Sequence, residues 1–422
     1  MSAKKDIRLG VFGLGRGGAY LESFIACGFK IVAVCDKNQS RIDEAKDFIG
    51  DGVVGYTDFE EFISHDGLDA VFLANYFTEH ASYAIRCLER DIHVLSECTS
   101  NVTMADGVRL VRAAEQSRAF YMLAENCPYM LINLEMKKVY DSGTLGRCVF
   151  AEGEYNHPED PADVKSVTYH RPSVNHWRNY LARTYYLTHS LGPLMYITGA
   201  VPKKVNAFAA YMPEVYENDS LTGLFVGDAA ALINCQNDDG SIFRVTGHSS
   251  FGGHEVSYRV CGLKGQIENI RGQGEQILLR YNPWNLPEGA EKSKIYTPIR
   301  EDKDEDLIIK TGHGGADFIV ARTFFESIRD NKKPDFDVYF ATTMASVAIL
   351  AHRSVLNGGA TYDVPDFHSE ADRRLWENDT LTPFPGNGGE PPTLPCCSHP
   401  DYKPSDEAYN RYVELLKQNK HT

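Results

Sequence analysis

The chain has 422 residues, with 43 Lys and Arg against 58 Asp and Glu, a formal charge of −15. That acidic balance, spread along the chain in proportion to length, excludes a binder of the nucleic-acid backbone, which needs a basic face to displace counterions. Hydrophobic residues make up 43% and charged residues 24%, the composition of an ordinary globular protein with room for two or three domains.

From residue 7 to about 124, short β-branched runs alternate with helical patterns, which predicts an α/β unit with helices on both faces of a parallel sheet. Strands are predicted at Ile7 to Phe12, Lys30 to Cys35, Ala70 to Ala74, His93 to Ser96 and Phe120 to Leu123, and helices at Ser40 to Phe48 and Ala81 to Arg90. A helix at Leu131 to Tyr140 follows. The alternating runs Val149 to Tyr155, Ala229 to Cys235, Ser241 to Thr246 and Glu255 to Cys261 then predict a mainly antiparallel sheet in a second, α+β domain. Two late helices are predicted at Gly315 to Arg329 and Tyr339 to Leu356, the latter closed by Gly358-Gly359. The expected division is 1–124 for the α/β unit, 125–368 for the second domain, and 369–422 for an extension. That extension is rich in Pro and Gly over Pro383 to Pro395 and ends in a short helix.

No run of about 18 apolar residues predicts a membrane span. The amino terminus carries no secretory pattern, so a cytoplasmic location is expected. Ten cysteines stand singly apart from Cys396-Cys397, without the spacing of a zinc site. They read as reduced, mostly buried thiols, and no metal is expected.

Gly13-Leu14-Gly15-Arg16-Gly17-Gly18 follows a predicted strand and opens a helical pattern. Its glycines permit a tight turn and let backbone N–H groups approach a pyrophosphate. Asp36, at the end of the second strand, suits an adenine ribose and repels a 2′-phosphate, which favours NAD over NADP. Lys37 and Arg41 are close enough in sequence to weaken that preference. Gly13, Gly15, Arg16, Gly18, Asp36 and Arg41 are therefore the first cofactor candidates.

The next motifs, Ala74-Asn75-Tyr76-Phe77 with His80 and Val94-Leu95-Ser96-Glu97-Cys98, resemble those of the glucose-fructose oxidoreductase, inositol dehydrogenase and MocA (Gfo/Idh/MocA) family. The resemblance implies an NAD(P)-binding Rossmann domain followed by a sheet domain that holds a sugar or polyol. It adds Asn75, His80, Glu97 and Asn126 to the cofactor side. That family usually has Glu-Lys-Pro after its fifth strand, the Lys assisting proton transfer; here the positions read Glu97-Cys98-Thr99. A subgroup shares this departure, the NAD-dependent glycoside hydrolases typified by α-N-acetylgalactosaminidase. Further matches to it include Glu125-Asn126-Cys127-Pro128-Tyr129, Tyr186-Leu187-Thr188-His189, His313-Gly314-Gly315-Ala316-Asp317 and Pro365-Asp366-Phe367.

The resemblance implies hydride transfer at sugar C3 as the first step of glycoside cleavage by elimination. A simple sugar or polyol dehydrogenase is the alternative, and a non-catalytic NAD-binding regulator a third reading. His189, with an ordinary pKa near neutrality, is the candidate to move the 3-hydroxyl proton. Tyr186, three residues earlier and expected on the same helix face, is its relay, and Tyr155, at a strand end, is the base at C2. Cys98 is expected to fill space. Glu125, Trp177, Arg178 and His313 are the expected substrate contacts. Asp317 reads as a helix N-terminal acid. The expected partners are a small sugar or glycoside and further copies of the chain, paired through the second domain's sheet.

Overall fold

The structure is a computed structural model that describes residues 6–158, 160, 163–212, 227–247, 251–386 and 390–419. Residues 387–389 of the Pro- and Gly-rich stretch lie outside the described residues.

The first sheet is parallel, ordered β3-β2-β1-β4-β5-β6. Its strands are β1 (Ile7–Phe12), β2 (Phe29–Cys35), β3 (Val54–Tyr56), β4 (Ala70–Leu73), β5 (His93–Ser96) and β6 (Tyr121–Leu123). Strand β4 is buried along its whole length, as expected where helices cover both faces. The edge strand β3 was not predicted. It has three residues, none of them buried, and is too short to show periodicity.

The second sheet has nine strands, ordered β14-β13-β12-β11-β7-β10-β9-β8-β15. They are β7 (Cys148–Asn156), β8 (Pro202–Ala210), β9 (Ala230–Asn237), β10 (Ile242–Thr246), β11 (Glu255–Gly262), β12 (Gly265–Asn269), β13 (Ile277–Tyr281), β14 (Ser293–Tyr296) and β15 (Tyr362–Asp363). All its pairs are antiparallel except β7 with β10. Strand β9 buries Ala231, Ile233 and Cys235 and turns Leu232, Asn234 and Gln236 outward, so one face of the sheet packs and the other stays open. Against the packed face lie the helices Thr188–Thr198 and Val338–Leu356.

Sequence order and spatial order part company at the helix Ala316–Asp330. It comes from the second half of the chain but packs on the Leu21–Cys27 helix and β1, with Phe29 against Phe324 and Phe325 at ring separations of 5.8 and 5.1 Å. The extension is fastened down. Arg353 forms an ion pair with Asp379, the His352 ring meets the Pro395 carbonyl at 2.7 Å, and Phe384 packs edge-on against Phe77 and Tyr185. No helix of the described residues is long and apolar enough to cross a membrane.

Candidate active site

The glycine loop turns directly off β1. Gly13 has φ 90°, and a Cβ there would stand 2.5 Å from the Ala74 carbonyl carbon and oxygen, so only glycine brings this turn so close to the end of β4. Asp36 is buried, its two carboxylate oxygens accepting the backbone N–H groups of Leu14 at 2.7 Å and Asn38 at 2.8 Å. The carboxylate thus clamps the loop to β2 and retains further lone pairs. Arg41 approaches it at 3.9 Å.

Arg16 points along the cleft instead of into water. Its Nε donates to Glu97 at 2.9 Å and its two Nη atoms donate to Asp317, each at 2.9 Å. Asp317 also accepts from Tyr20 at 3.1 Å and from Asn126 at 2.8 Å, and meets the His313 ring at 3.0 Å. Burial alone would raise the Asp317 pKa, but hydrogen bonds from His313 and Arg16 outweigh it and hold the carboxyl far below its usual range.

At the other end of the cleft, the helix Thr188–Thr198 lies across β7. Gly153 makes this possible, because a Cβ there would collide with the Ser190 carbonyl oxygen. Pro193, inside the helix, has no N–H to give the His189 carbonyl four residues earlier. The Tyr258 hydroxyl donates to that carbonyl instead, at 2.6 Å, tying the helix start to β11.

His189 Nδ1 sits 2.8 Å from Glu125 Oε1. Its ring is 4.8 Å from that of Tyr155 and 5.3 Å from that of Tyr186. Glu125 is fully buried and also accepts from the Cys127 backbone N–H at 3.1 Å and the Cys98 thiol at 3.3 Å. Burial works against the charged form of His189, but the adjacent Glu125 carboxylate wins and raises the imidazole pKa well above 6.5. The reciprocal attraction lowers that of Glu125 against its own burial. Burial, with Glu125 alongside, pushes the Cys98 thiol up, so it is a hydrogen-bond donor and not a thiolate.

Several polar atoms about the cleft are buried without a protein partner among the described residues: Asn75 Oδ1, Thr99 Oγ1, Asn126 Oδ1 and Trp177 Nε1. Unsatisfied groups of this kind are costly unless a ligand or water meets them. Together with the open space beside Gly18, they fit a long polar cofactor lying from Asp36 to Glu97. Glu125, Cys127 and His189 also bring three atoms of metal-ligand type within 4.8 Å of one another. Two ligands of one tetrahedral zinc would stand about 3.3 Å apart, whereas His189 and Glu125 are at proton-sharing distance.

Residues 7–125 match the oxidoreductase family model with an NAD-binding Rossmann fold, and residues 226–373 match the glycosyl hydrolase 109 C-terminal domain. The first part of the chain is thus a Gfo/Idh/MocA-type NAD-binding Rossmann domain, and a glycosyl hydrolase 109 C-terminal domain follows it. A glycosyl hydrolase family 109 protein of Saccharopolyspora erythraea is 25% identical over 91% of this chain and 86% of its own length. One from Solibacter usitatus is also 25% identical, over 86% and 88%. Among solved structures, levoglucosan dehydrogenase in complex with NADH and levoglucosan superposes with a TM-score of 0.70 at 17% identity, covering 86% of this chain and all of that one. The myo-inositol 2-dehydrogenase of Lactobacillus plantarum gives 0.64 at 17% identity, over 85% and 100%.

Around the cleft the expected residues fall into distinct positions. Arg16, Asn75, His80, Glu97, Trp177, Arg178 and Tyr186 line one cleft with Cys98 and Thr188. Arg178 stacks over Trp177 at 4.5 Å, and Trp177 packs on Phe77 at 4.5 Å. His80 lies with Nδ1 2.9 Å from the Thr99 carbonyl and Nε2 3.2 Å from that of Asn75; burial favours its neutral form, whose single N–H donates to one of them, so it shapes the cleft wall through its neighbours. Tyr186 and His189 do not share a helix. Tyr186 closes a short turn over Arg183–Tyr186 and His189 lies in the first turn of the next helix, yet the rings still meet.

Glu125, expected against substrate, lies beneath the cleft surface, so its route to a substrate runs through His189. His313 rests on Asp317, with 45% of its side chain exposed, and is not among the residues lining the cleft. Asp317 does not serve its helix end as an isolated acid, because the Arg16, Tyr20, Asn126 and His313 side chains occupy its oxygens. That gathering was missed because its donors are scattered over 297 residues of sequence. The roles of Tyr258 and Gly153 were missed as well, although a proline inside a predicted helix leaves a signal, namely one carbonyl in need of an outside donor.

Proposed function

We propose that this protein oxidises a sugar at C3 with NAD as the first step of cleaving a glycoside by elimination, and later returns the hydride. The observation that carries this reading is the Glu125–His189 pair with Tyr155 and Tyr186 around it: Tyr186 lines the cleft, and the His189 and Tyr155 rings pack against it at 5.3 and 5.9 Å. The family 109 C-terminal domain supports glycoside cleavage, and the likeness to sugar and polyol dehydrogenases supports the redox step. In this reading 1–124 holds the cofactor, 125–368 supplies the sugar chemistry, and 369–422 braces the wall behind it.

Asp36 and Arg41 would hold the adenosine end of NAD, the Gly13–Gly18 loop its pyrophosphate, and Asn75, Glu97 and Asn126 its reactive half. NAD supplies hydride acceptance at C3, which acidifies the C2 proton for elimination and is reversed after water has added. The chain's own task is proton handling. His189 takes the 3-hydroxyl proton on Nε2, with Glu125 fixing Nδ1 as carboxylates do in hydrolase triads. Burial and neighbouring Tyr186 keep the Tyr155 phenol protonated, so to act as base at C2 it first passes that proton through Tyr186 to solvent; the His189 imidazolium beside it then stabilises the phenolate that takes the C2 proton. Trp177 and Arg178 offer an apolar plate and a hydroxyl donor.

The test is a panel of nitrophenyl glycosides with added NAD in heavy water. Nitrophenol release with deuterium at C2 is expected, and release without deuterium overturns elimination. Stoichiometric NADH with no release instead identifies a simple dehydrogenase, the reading that the structural neighbours also favour. The absence of any disulfide among the described residues suits a reducing compartment and supports a cytoplasmic location. The outward Phe208, Leu232 and Ile242 support pairing of copies through the second sheet, which light scattering would test as a dimeric or larger mass.

A further inference from the structure

We infer that Asp317 is a positioning residue that sets the charge of the cofactor cleft and thereby its preference for oxidised over reduced nicotinamide. The inference rests on the NAD-binding reading and adds a role that follows from the charge count around the cleft. Two permanent cations face this space, Arg16 and Arg178. Two carboxylates oppose them: Glu97 on the guanidinium Nε of Arg16, and Asp317 in a two-pronged pair with its Nη atoms. The Glu125–His189 pair is a proton-sharing couple of opposite charges and adds no net charge.

With Asp317 the cleft balances. Without it the cleft carries one unopposed positive charge in a site screened poorly by solvent. The nicotinamide ring is cationic when oxidised and neutral when reduced, so that surplus would weaken NAD and leave NADH almost untouched. Asp317 is itself suited to a fixed charge. It is 2% exposed, and its donors, Arg16 and Tyr20, Asn126, and His313, come from three separate stretches of the chain. It also reaches Arg16 from a helix that the second half of the chain contributes to the first sheet. Its charge and its grip on the guanidinium plane therefore act together on a cleft it does not line.

The experiment is calorimetric titration of the full-length protein with NAD and with NADH, comparing wild type, Asp317→Asn, and Asp317→Asn combined with Arg178→Gln. The expected result is about a tenfold loss of NAD affinity in Asp317→Asn, with NADH changed by less than about threefold, and a ratio restored toward wild type in the double variant. Equal weakening of NAD and NADH reveals a merely structural residue and overturns the inference. No change in either overturns it too. Glu97→Gln, which removes the other carboxylate of the same balance, is expected to shift the ratio in the same direction and serves if Asp317→Asn does not fold. Wild type that binds neither nucleotide overturns the cofactor reading itself, a result distinct from binding that the variants leave unaltered.

Discussion

Glu125 and Asp317 are both sealed from solvent behind one cleft, yet their partners differ in kind. Asp317 is surrounded by Arg16, Tyr20, Asn126 and His313; His313 and Arg16 do most to keep it ionised, and the Arg16 guanidinium, which grips it through two nitrogens, does not titrate. Glu125 faces an imidazole, the one side chain whose ordinary pKa is near neutrality. Burial pushes both carboxyls toward protonation, and in both the partner wins. The difference lies in what pH can then change: the Asp317 cluster holds a fixed charge, while the Glu125–His189 pair holds a proton that can leave.

The signs follow from these shifts. The lowered pKa of Asp317 means that its stabilisation is complete above about pH 4, the unfolded aspartate value, and is lost only as pH falls through the much lower folded value. The raised pKa of His189 means the reverse: its stabilisation is present below about pH 6.5 and disappears as pH rises through the folded value. A rise in pH therefore frees the base and slightly loosens the site at the same time.

The sharpest way to break the contrast is His189→Ala. Sugar-dependent NAD reduction should fall by about 10³-fold or more, with NAD affinity nearly unchanged in a calorimetric titration; loss of NAD affinity instead would place His189 in the cofactor site. Glu125→Gln should cost about 10²-fold in the same assay, since the ring keeps a hydrogen-bond partner but loses its charge. Tyr258→Phe frees the His189 carbonyl and should lower stability by about 1 kcal/mol in urea unfolding, with a smaller loss of turnover than either. Cys98→Ala should change turnover by less than about threefold, because a protonated thiol contributes one weak hydrogen bond; a large loss would return Cys98 to the proton chemistry.

Much of this was legible in the sequence, for identifiable reasons. The glycine loop, Asp36 and the first sheet's long strands are local patterns, and their strand-turn-helix context was enough to place them. The Tyr155, Tyr186 and His189 cluster was also named in advance, though the geometry given for two of its members was wrong: Leu187 breaks the expected helix, and ring packing rather than helical spacing brings Tyr186 to His189. What stayed hidden was long-range. Val54–Tyr56 was too short to show a period. Strands β8 and β12 to β15 lacked a clear alternation that set them apart from loops. Glu125 looked like a substrate contact because its position at the end of β6 is visible in sequence, whereas its burial beneath His189 is not. Asp317 could be read only as a helix-end acid until folding brought Arg16 to it across 301 residues.

The central claim is that the Glu125 charge sets the proton affinity of the base that opens the reaction. It is tested most directly by the pH dependence of single-turnover NAD reduction in wild type and Glu125→Gln. Neutral His189 is the active form, so the wild-type rate should rise with pH through a midpoint above 6.5. In Glu125→Gln, where no carboxylate stabilises the imidazolium, that midpoint should move to lower pH while the plateau rate falls. The same midpoint in both proteins would contradict the account.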